Sequence, residues 1–162
     1  MDPVHETAFE TAIAIETRCL SYYRSIAGKI NDIKTRKLFD QLAKDESVHL
    51  ATFCNLFQGN MDELVKIIGQ NIFSDVYYLA LINRFDGCSI DINALRIALR
   101  EEQICIDCYG VLANNMWESR TRDVFVRTLD ESSKHYELLS AQYLLLQKTT
   151  EKYNKDVLVL SE

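Results

Sequence analysis

Several ionisable side chains of this sequence fall within apolar stripes that recur at helical spacing. Glu16 and Glu102 each follow one aliphatic residue by three positions and precede the next by four. Glu46 lies between Leu42 and His49, His49 is followed by Phe53, and His135 lies between Phe125, Thr128 and Leu139. Buried carboxylates are costly to desolvate and repel one another, and a bound cation offsets both costs. Because carboxylate oxygens and imidazole nitrogens together suit iron or manganese, these five residues predict a metal site.

The same residues follow an internal repeat with an offset of 86 positions. The matched pairs are Glu16 and Glu102, Cys19 and Cys105, Tyr23 and Tyr109, and His49 and His135. Any two amphipathic helices match at apolar positions, but that does not explain matched glutamate, histidine and cysteine. The repeat therefore predicts two copies of one helical hairpin.

Long helices are the elements predicted to position these side chains. The chain has 162 residues with only 5 Gly and 1 Pro, too few for the turns of a β-sandwich or barrel. The apolar spacing predicts long helices from Pro3 to Gly28, from Asn31 or Asp32 to near Gly59, from about Asp91 to near Asn115, and from about Trp117 to near Tyr153.

The connection between the second and third long helices is itself predicted to be structured. A short helix is expected at 61–69, followed by a second short helix or packed crossover at 71–86 and a break from Gly87 to Asp91. Short connections within each pair and this long middle one predict an all-α four-helix bundle with one long crossover. Since no linker is evident, residues 1–162 are predicted to form a single domain. Gly110 lies inside a predicted long helix, and we expect a close helix approach or a distortion there.

The segment Glu46-Ser-Val-His49 is a Glu-x-x-His pair on one helix face. One Glu from each of two helices and a Glu-x-x-His from each of the other two is the ligand set of di-iron carboxylate bundles. Along its four long helices the sequence thus resembles the rubrerythrin-like branch of the ferritin-like superfamily. The resemblance implies a ligand set of Glu16, Glu46, His49, Glu102 and His135. It also implies that Tyr23 and Tyr109 hydrogen-bond to ligands, and that the cofactor is two iron ions or one, with manganese or zinc as alternatives.

The sequence departs from the family pattern on the fourth helix. Ser132 stands where the family has a second metal-bridging glutamate, so the site is expected to be asymmetric, weakly loaded in one half, or mononuclear. Glu131 could substitute, although its repeat mate Asp45 stands beside a normal ligand and is expected to point away. No rubredoxin domain is recognisable, and the resemblance then implies an external electron-donor protein.

The cysteines and two further residues complete the candidate list. Cys19 and Cys105 lie one turn from Glu16 and Glu102, where they either fill small core sites or tune or ligate the metal. Cys105 and Cys108 form a C-x-x-C, but in mid-helix and without a second pair this is a weak redox or zinc motif. His5 is expected at the surface, and Trp117 is expected to anchor packing at the start of the fourth helix.

Charge and composition exclude several classes of partner. With 18 Lys and Arg against 24 Asp and Glu, the net charge is −6 and no basic run exists for nucleic acid or an anionic membrane. No apolar stretch approaches the ~20 residues of a membrane span, and the N-terminus lacks the layout of a signal peptide. Five cysteines without a disulfide framework favour a cytoplasmic protein with reduced thiols.

Three classes of function are consistent with the residues and the resemblance. The leading interpretation is a non-haem iron oxidoreductase that reduces peroxide or dioxygen with electrons from an external donor. The alternatives are a non-catalytic metal-binding protein in iron handling and a structural bundle with a vestigial site. The resemblance also implies a homodimer.

Overall fold

A computed structural model describes residues 3–84 and 89–160, with side chains described through residue 152. The described residues form six helices and contain no strand. The helices are α1 (Pro3–Ala27), α2 (Ile33–Leu56), α3 (Met61–Gln70), α4 (Asp75–Ile82), α5 (Ile90–Asn115) and α6 (Ser119–Leu160). The prediction of an all-α chain with short helices between the second and third long helices is confirmed.

Two antiparallel hairpins make up the bundle. Helix α1 packs mainly against α2, which gives the first hairpin, and α5 packs mainly against α6, which gives the second hairpin. The hairpins meet where α1 contacts α5 and where α2 contacts α6. Helices α3 and α4 form the crossover between them and both pack against α1. This arrangement brings all four long helices around one core.

Polar residues at the helix ends fix where the elements begin. The side chain of Asp32 accepts a hydrogen bond from the amide of Thr35 at 2.7 Å and caps α2 as predicted. Asp91, in the first turn of α5, accepts hydrogen bonds from the amides of Asn31 and Asp32 at 2.9 and 2.8 Å. One carboxylate therefore ties the turn of the first hairpin to the start of the second.

Several details of the predicted elements need correction. Helix α6 begins at Ser119, two residues after Trp117, and continues beyond Tyr153 to Leu160. A Cβ atom placed on Gly110 would meet nothing within 4 Å, so the close approach expected there is wrong. The apolar spacing of the fourth helix also places Leu138 on its core-facing stripe, but this side chain is 54% exposed. Asp2, which precedes Pro3 and is expected to cap the first helix, and Gly87, where a break is predicted, lie outside the described residues.

The core combines an aromatic cluster with a layer of buried polar side chains. Its largest fully buried side chains include Tyr22, Tyr23, Tyr109, Phe39, Phe53 and Phe125. The buried polar residues within it come from all four long helices and include three glutamates and two histidines.

Among the described helices, none combines the length and the apolar character that crossing a membrane requires.

Candidate metal centre

Five side chains from the four long helices converge in the middle of the bundle. They are Glu16 from α1, Glu46 and His49 from α2, Glu102 from α5 and His135 from α6. Each is buried, with at most 6% of its surface exposed. The structure therefore brings together all five residues that the spacing assigned to the metal site.

The convergent residues form two groups that share one glutamate. The first half-site consists of Glu16, Glu46 and His49, and the second half-site consists of Glu46, Glu102 and His135. Within each half-site, one donor atom from each residue lies within 4.8 Å of the others, a spacing that could hold a metal ion. Glu46 is the residue that both half-sites share, so it would help to hold an ion in either one.

Both imidazoles face the carboxylates with Nδ1. His49 Nδ1 lies 3.4 Å from Glu16 Oε2 and 3.3 Å from Glu46 Oε2. His135 Nδ1 lies 3.3 Å from Glu46 Oε1 and 3.4 Å from Glu102 Oε1. Each oxygen of Glu46 therefore faces a different histidine, which gives the cluster an approximate twofold arrangement.

The outer nitrogens of the two histidines meet carboxylates from the opposite hairpin. Glu131 Oε2 on α6 contacts Nε2 of His49 on α2, and Asp45 Oδ2 on α2 lies 3.4 Å from Nε2 of His135 on α6. Asp45 and Glu131 are repeat mates, each four residues before its own histidine. Such outer carboxylates fix the tautomer and orientation of a ligating imidazole.

The contact of Glu131 with Nε2 of His49 places Glu131 outside the cluster of five convergent residues. The Glu131 side chain is 50% exposed and lies on the far edge of the His49 ring from the carboxylates. A residue four positions before His135 emerges at the outer rim of α6, so Glu131 does not take the place of the missing glutamate. Ser132 is buried at that place and offers only a neutral hydroxyl group.

Two tyrosines connect the hairpins through the carboxylates. Tyr23 on α1 donates a hydrogen bond to Glu102 Oε1 at 2.6 Å, and Tyr109 on α5 donates to Glu16 Oε1. Burial and the adjacent carboxylate raise the pKa of both hydroxyls well above the ordinary value, so both stay protonated as donors.

The buried charges of the cluster shift one another's pKa values. Burial and the neighbouring Glu46 raise the pKa of Glu16 well above its ordinary value. Burial also raises the pKa of Glu102. Burial opposes the ionisation of Glu46 itself, but Glu16 and the two imidazoles outweigh it and lower the Glu46 pKa. Burial acts to lower the histidine pKa values, yet the adjacent carboxylates raise them to about 11 for His49 and about 10 for His135.

Unpartnered atoms show that the donor set suits a cation. Within the described part of the chain, Glu16 Oε2, Glu46 Oε1, Glu102 Oε2 and His135 Nδ1 are buried and make no hydrogen bond, although all but Glu102 Oε2 lie in the imidazole–carboxylate contacts of 3.3–3.4 Å. Buried polar atoms ordinarily have partners, because leaving one unsatisfied is costly. Three carboxylates and two imidazole nitrogens are donors that iron, manganese or zinc accepts. The residues present therefore fit a metal centre.

Comparison with known proteins agrees with this geometry. The family model for rubrerythrin matches residues 8–143, which include all four long helices up to the middle of α6. The chain belongs to the rubrerythrin family. A solved structure of a hypothetical protein from Pyrococcus furiosus matches 89% of this rubrerythrin-family chain, with 90% of that protein covered, a TM-score of 0.66 and 20% identity. That likeness supports the ferritin-like fold. No curated protein sequence matches the chain.

The two repeat-matched cysteines of this rubrerythrin-family chain lie against each other beside the cluster. Cys19 Sγ on α1 and Cys105 Sγ on α5 are 3.7 Å apart, and both residues are buried. Neither belongs to the two half-sites. The packing beside the metal site predicted from their spacing is what the structure shows.

The expectations for His5 and Trp117 are reversed. His5 is buried, with 5% exposed, and its ring stacks on Trp117 at a centroid distance of 5.2 Å. Trp117 is 75% exposed and covers His5 instead of anchoring the core. An aromatic cover on a terminal histidine depends on where the two hairpins end, which periodicity does not encode.

Solvent reaches the histidine edge of this rubrerythrin-family site through a cavity of about 440 Å³. Its walls include both histidines and their outer carboxylates, together with Val48, Lys134 and Leu138.

The contact between Asp45 and His135 was not predicted from the sequence. The signal was present, because Asp45 and Glu131 match at the offset of 86 positions and precede their histidines by the same spacing.

Proposed function

We propose that this protein is a non-haem iron oxidoreductase that reduces peroxide or dioxygen with electrons from an external donor protein. The observation that carries the proposal is the pair of buried half-sites sharing Glu46 inside a rubrerythrin-family bundle. A purely structural bundle has no use for three buried glutamates with unpartnered oxygens, since each lowers the stability of the fold.

Each residue of the centre has a separate task in this proposal. Glu16 and His49 would hold one ion, Glu102 and His135 would hold the other, and Glu46 would bridge them. Iron bound there would supply electrons to the O–O bond of the substrate, and the external donor would replace them.

The surrounding side chains orient the donors and control protons. Tyr23 and Tyr109 hold one oxygen of Glu102 and of Glu16, and their hydroxyl protons lie beside the carboxylates. Glu131 and Asp45 hold the outer nitrogens of His49 and His135, which keeps Nδ1 directed at the carboxylates.

The cavity at the histidine edge offers small substrates a way into the site. The cavity at the histidine edge has a volume of about 440 Å³, whereas the remaining walls are helices packed with buried aromatic side chains. Peroxide or dioxygen fits such an opening, and the buried aromatic side chains on the other sides of the site keep bulk water from the carboxylates.

A direct test is metal analysis followed by a peroxide challenge on the same sample. We expect near-stoichiometric iron after loading, a rapid change of the visible spectrum of reduced protein on adding hydrogen peroxide, and sustained peroxide consumption when a reductant is supplied. Glu46→Gln is expected to abolish both metal retention and consumption, whereas Glu137→Gln on the exposed face of α6 is the matched control. Wild-type protein that retains no iron, manganese or zinc would contradict the proposal.

The second candidate is a metal-binding protein without turnover, and Ser132 is the observation that favours it. With Glu46 as the shared carboxylate, the cluster has one acidic group fewer than the family pattern. Iron loading without peroxide consumption in the same experiment would select this function. A homodimer is part of both proposals, and light scattering coupled to size-exclusion chromatography measures it.

A further inference from the structure

The two buried cysteines are placed in a way that the metal centre does not use. Cys19 Sγ and Cys105 Sγ face each other at 3.7 Å, and the two residues are at most 1% exposed. They are repeat mates, so each hairpin contributes one thiol at the same position of its first long helix. Two facing thiols in one contact are the arrangement from which a disulfide forms.

We propose that Cys19 and Cys105 are a redox site that hydrogen peroxide converts reversibly to a disulfide. In the oxidation the two S–H bonds and the O–O bond break, one S–S bond forms, and two water molecules leave. The two sulfurs together lose two electrons and the peroxide oxygens gain them. An external dithiol restores both thiols by exchange and is itself oxidised to a disulfide.

The geometry requires only a small movement. A disulfide has an S–S distance of about 2.05 Å, so the two sulfurs must approach by roughly 1.6 Å from their present separation. Helices α1 and α5 already contact each other. The new bond would join the two hairpins covalently where their first long helices meet, and would close a loop across the crossover.

Burial makes the site selective for small oxidants. The hydrogen bond with Cys105 favours the Cys19 thiolate, but burial and the nearby glutamates outweigh it and raise the pKa of Cys19 to about 12. The thiolate is the reactive form and both sulfurs are buried, so oxidation and reduction are both expected to be slow, and thiol reagents are expected to modify Cys54 and Cys108 before these two sulfurs. Cys54 and Cys108 are only partly buried and serve as internal references for reagent access.

The test is peptide mapping of full-length protein after hydrogen peroxide treatment, with and without prior removal of metal by chelation. Trypsin places Cys19 in the peptide 19–24 and Cys105 in the peptide 101–120. We expect the intact protein to lose two hydrogen masses and these two peptides to appear linked. Dithiothreitol is expected to reverse both changes.

Variants identify the sulfurs, because peptide 101–120 also contains Cys108. Cys108→Ala and Cys54→Ala are expected to keep the link, and Cys105→Ala is expected to abolish it. Failure of the link to form in wild type, its persistence in Cys105→Ala, or oxygen addition to Cys19 without a link would each overturn the proposal. The chelated sample carries no iron, so this outcome is independent of whether the metal centre reduces peroxide.

Discussion

The hydroxyl of Tyr23 on α1 donates a 2.6 Å hydrogen bond to Oε1 of Glu102 on α5. The reciprocal contact, from Tyr109 on α5 to Glu16 on α1, completes the pair. Each hairpin therefore orients a carboxylate that belongs to the other, and the metal centre depends on how the hairpins dock.

Removing one of these hydroxyls is expected to weaken metal binding. In Tyr23→Phe, Glu102 loses its fixed orientation, and we expect affinity for Fe²⁺ or Mn²⁺ to fall ~10–100-fold, the usual cost of losing an outer-sphere partner. Isothermal titration calorimetry measures the affinity of each variant for the metal ion. The control is Tyr22→Phe, which removes a buried hydroxyl bonded to the carbonyl of Ala94 at 2.8 Å. Equal affinity losses in the two variants would contradict a specific role for Tyr23.

The crossed contacts of Glu131 and Asp45 predict a second effect on affinity. Glu131→Gln and Asp45→Asn leave the five convergent residues in place but weaken the hold on the histidine Nε2 atoms. We expect each to lower metal affinity by ~10-fold or more without loss of the fold. Circular dichroism checks the fold, and Glu137→Gln serves as the exposed control. Unchanged affinity in both variants would show that the outer carboxylates are dispensable.

Restoring the family's glutamate at position 132 tests whether Ser132 limits the metal loading of the site. Ser132→Glu adds a fourth carboxylate at a buried position next to the second half-site. Without metal we expect a lower melting temperature, since another buried charge is unpaired, and with metal we expect higher loading. Metal content per chain is the measurement. The neighbouring Ser133→Glu, on a different face of α6, is expected to leave the loading unchanged.

Asp32 predicts a pH-dependent contribution to stability. Burial acts to raise its pKa, but hydrogen bonds from Thr35 and Lys34 outweigh this and lower it. A lowered folded-state pKa means that the stabilisation is present above the unfolded-state value and is lost as the pH falls through the folded-state value. Asp32→Ala is expected to cost ~1 kcal/mol at neutral pH, the usual value of an N-cap.

Urea unfolding at neutral and acidic pH checks this expectation. The difference between wild type and Asp32→Ala is expected to shrink in acid, and Asp40→Ala on the exposed face of α2 is the control. A difference that stays constant with pH would assign the effect to the hydrogen bond from Gln142, at 3.1 Å, instead of to the ionised cap.

Gly110 offers a stabilising substitution. A Cβ there would meet nothing within 4 Å, and glycine in a helix interior is about 0.8–1 kcal/mol less favourable than alanine. Gly110→Ala is expected to raise the melting temperature in a thermal scan. Gly59→Ala is the contrasting variant, because its Cβ would lie 2.3 Å from Cζ of Phe57, and no gain is expected there.

The repeat and the apolar spacing were sufficient to predict the four long helices and the meeting of the five candidate ligands. Glu16 and Glu102 interrupt their stripes at identical spacings, so their inward direction follows from helical periodicity alone. The repeat marks Asp45 and Glu131 as equivalent positions, but it does not show which histidine each one contacts. Whether Glu131 reaches His49 depends on the separation of α2 and α6, which is a property of packing and not of either helix.

The burial of His5 could not be predicted from the sequence for a similar reason. His5 has no apolar stripe around it that marks it as buried, and its shelter comes from Trp117, a residue far along the chain. The close approach expected at Gly110 was wrong because a glycine inside a helix can face either a neighbouring helix or open space. Only the positions of the neighbouring helices decide which of the two applies.

The sharing of Glu46 makes the hairpins unequal in what they can hold alone. The first hairpin contains a whole triad, whereas the second has only Glu102 and His135 and takes its third donor from the first. Binding of an ion at the second half-site would therefore be coupled to docking of the hairpins. The free energy of unfolding would then depend on the concentration of free ion, and we expect the melting temperature to rise with that concentration.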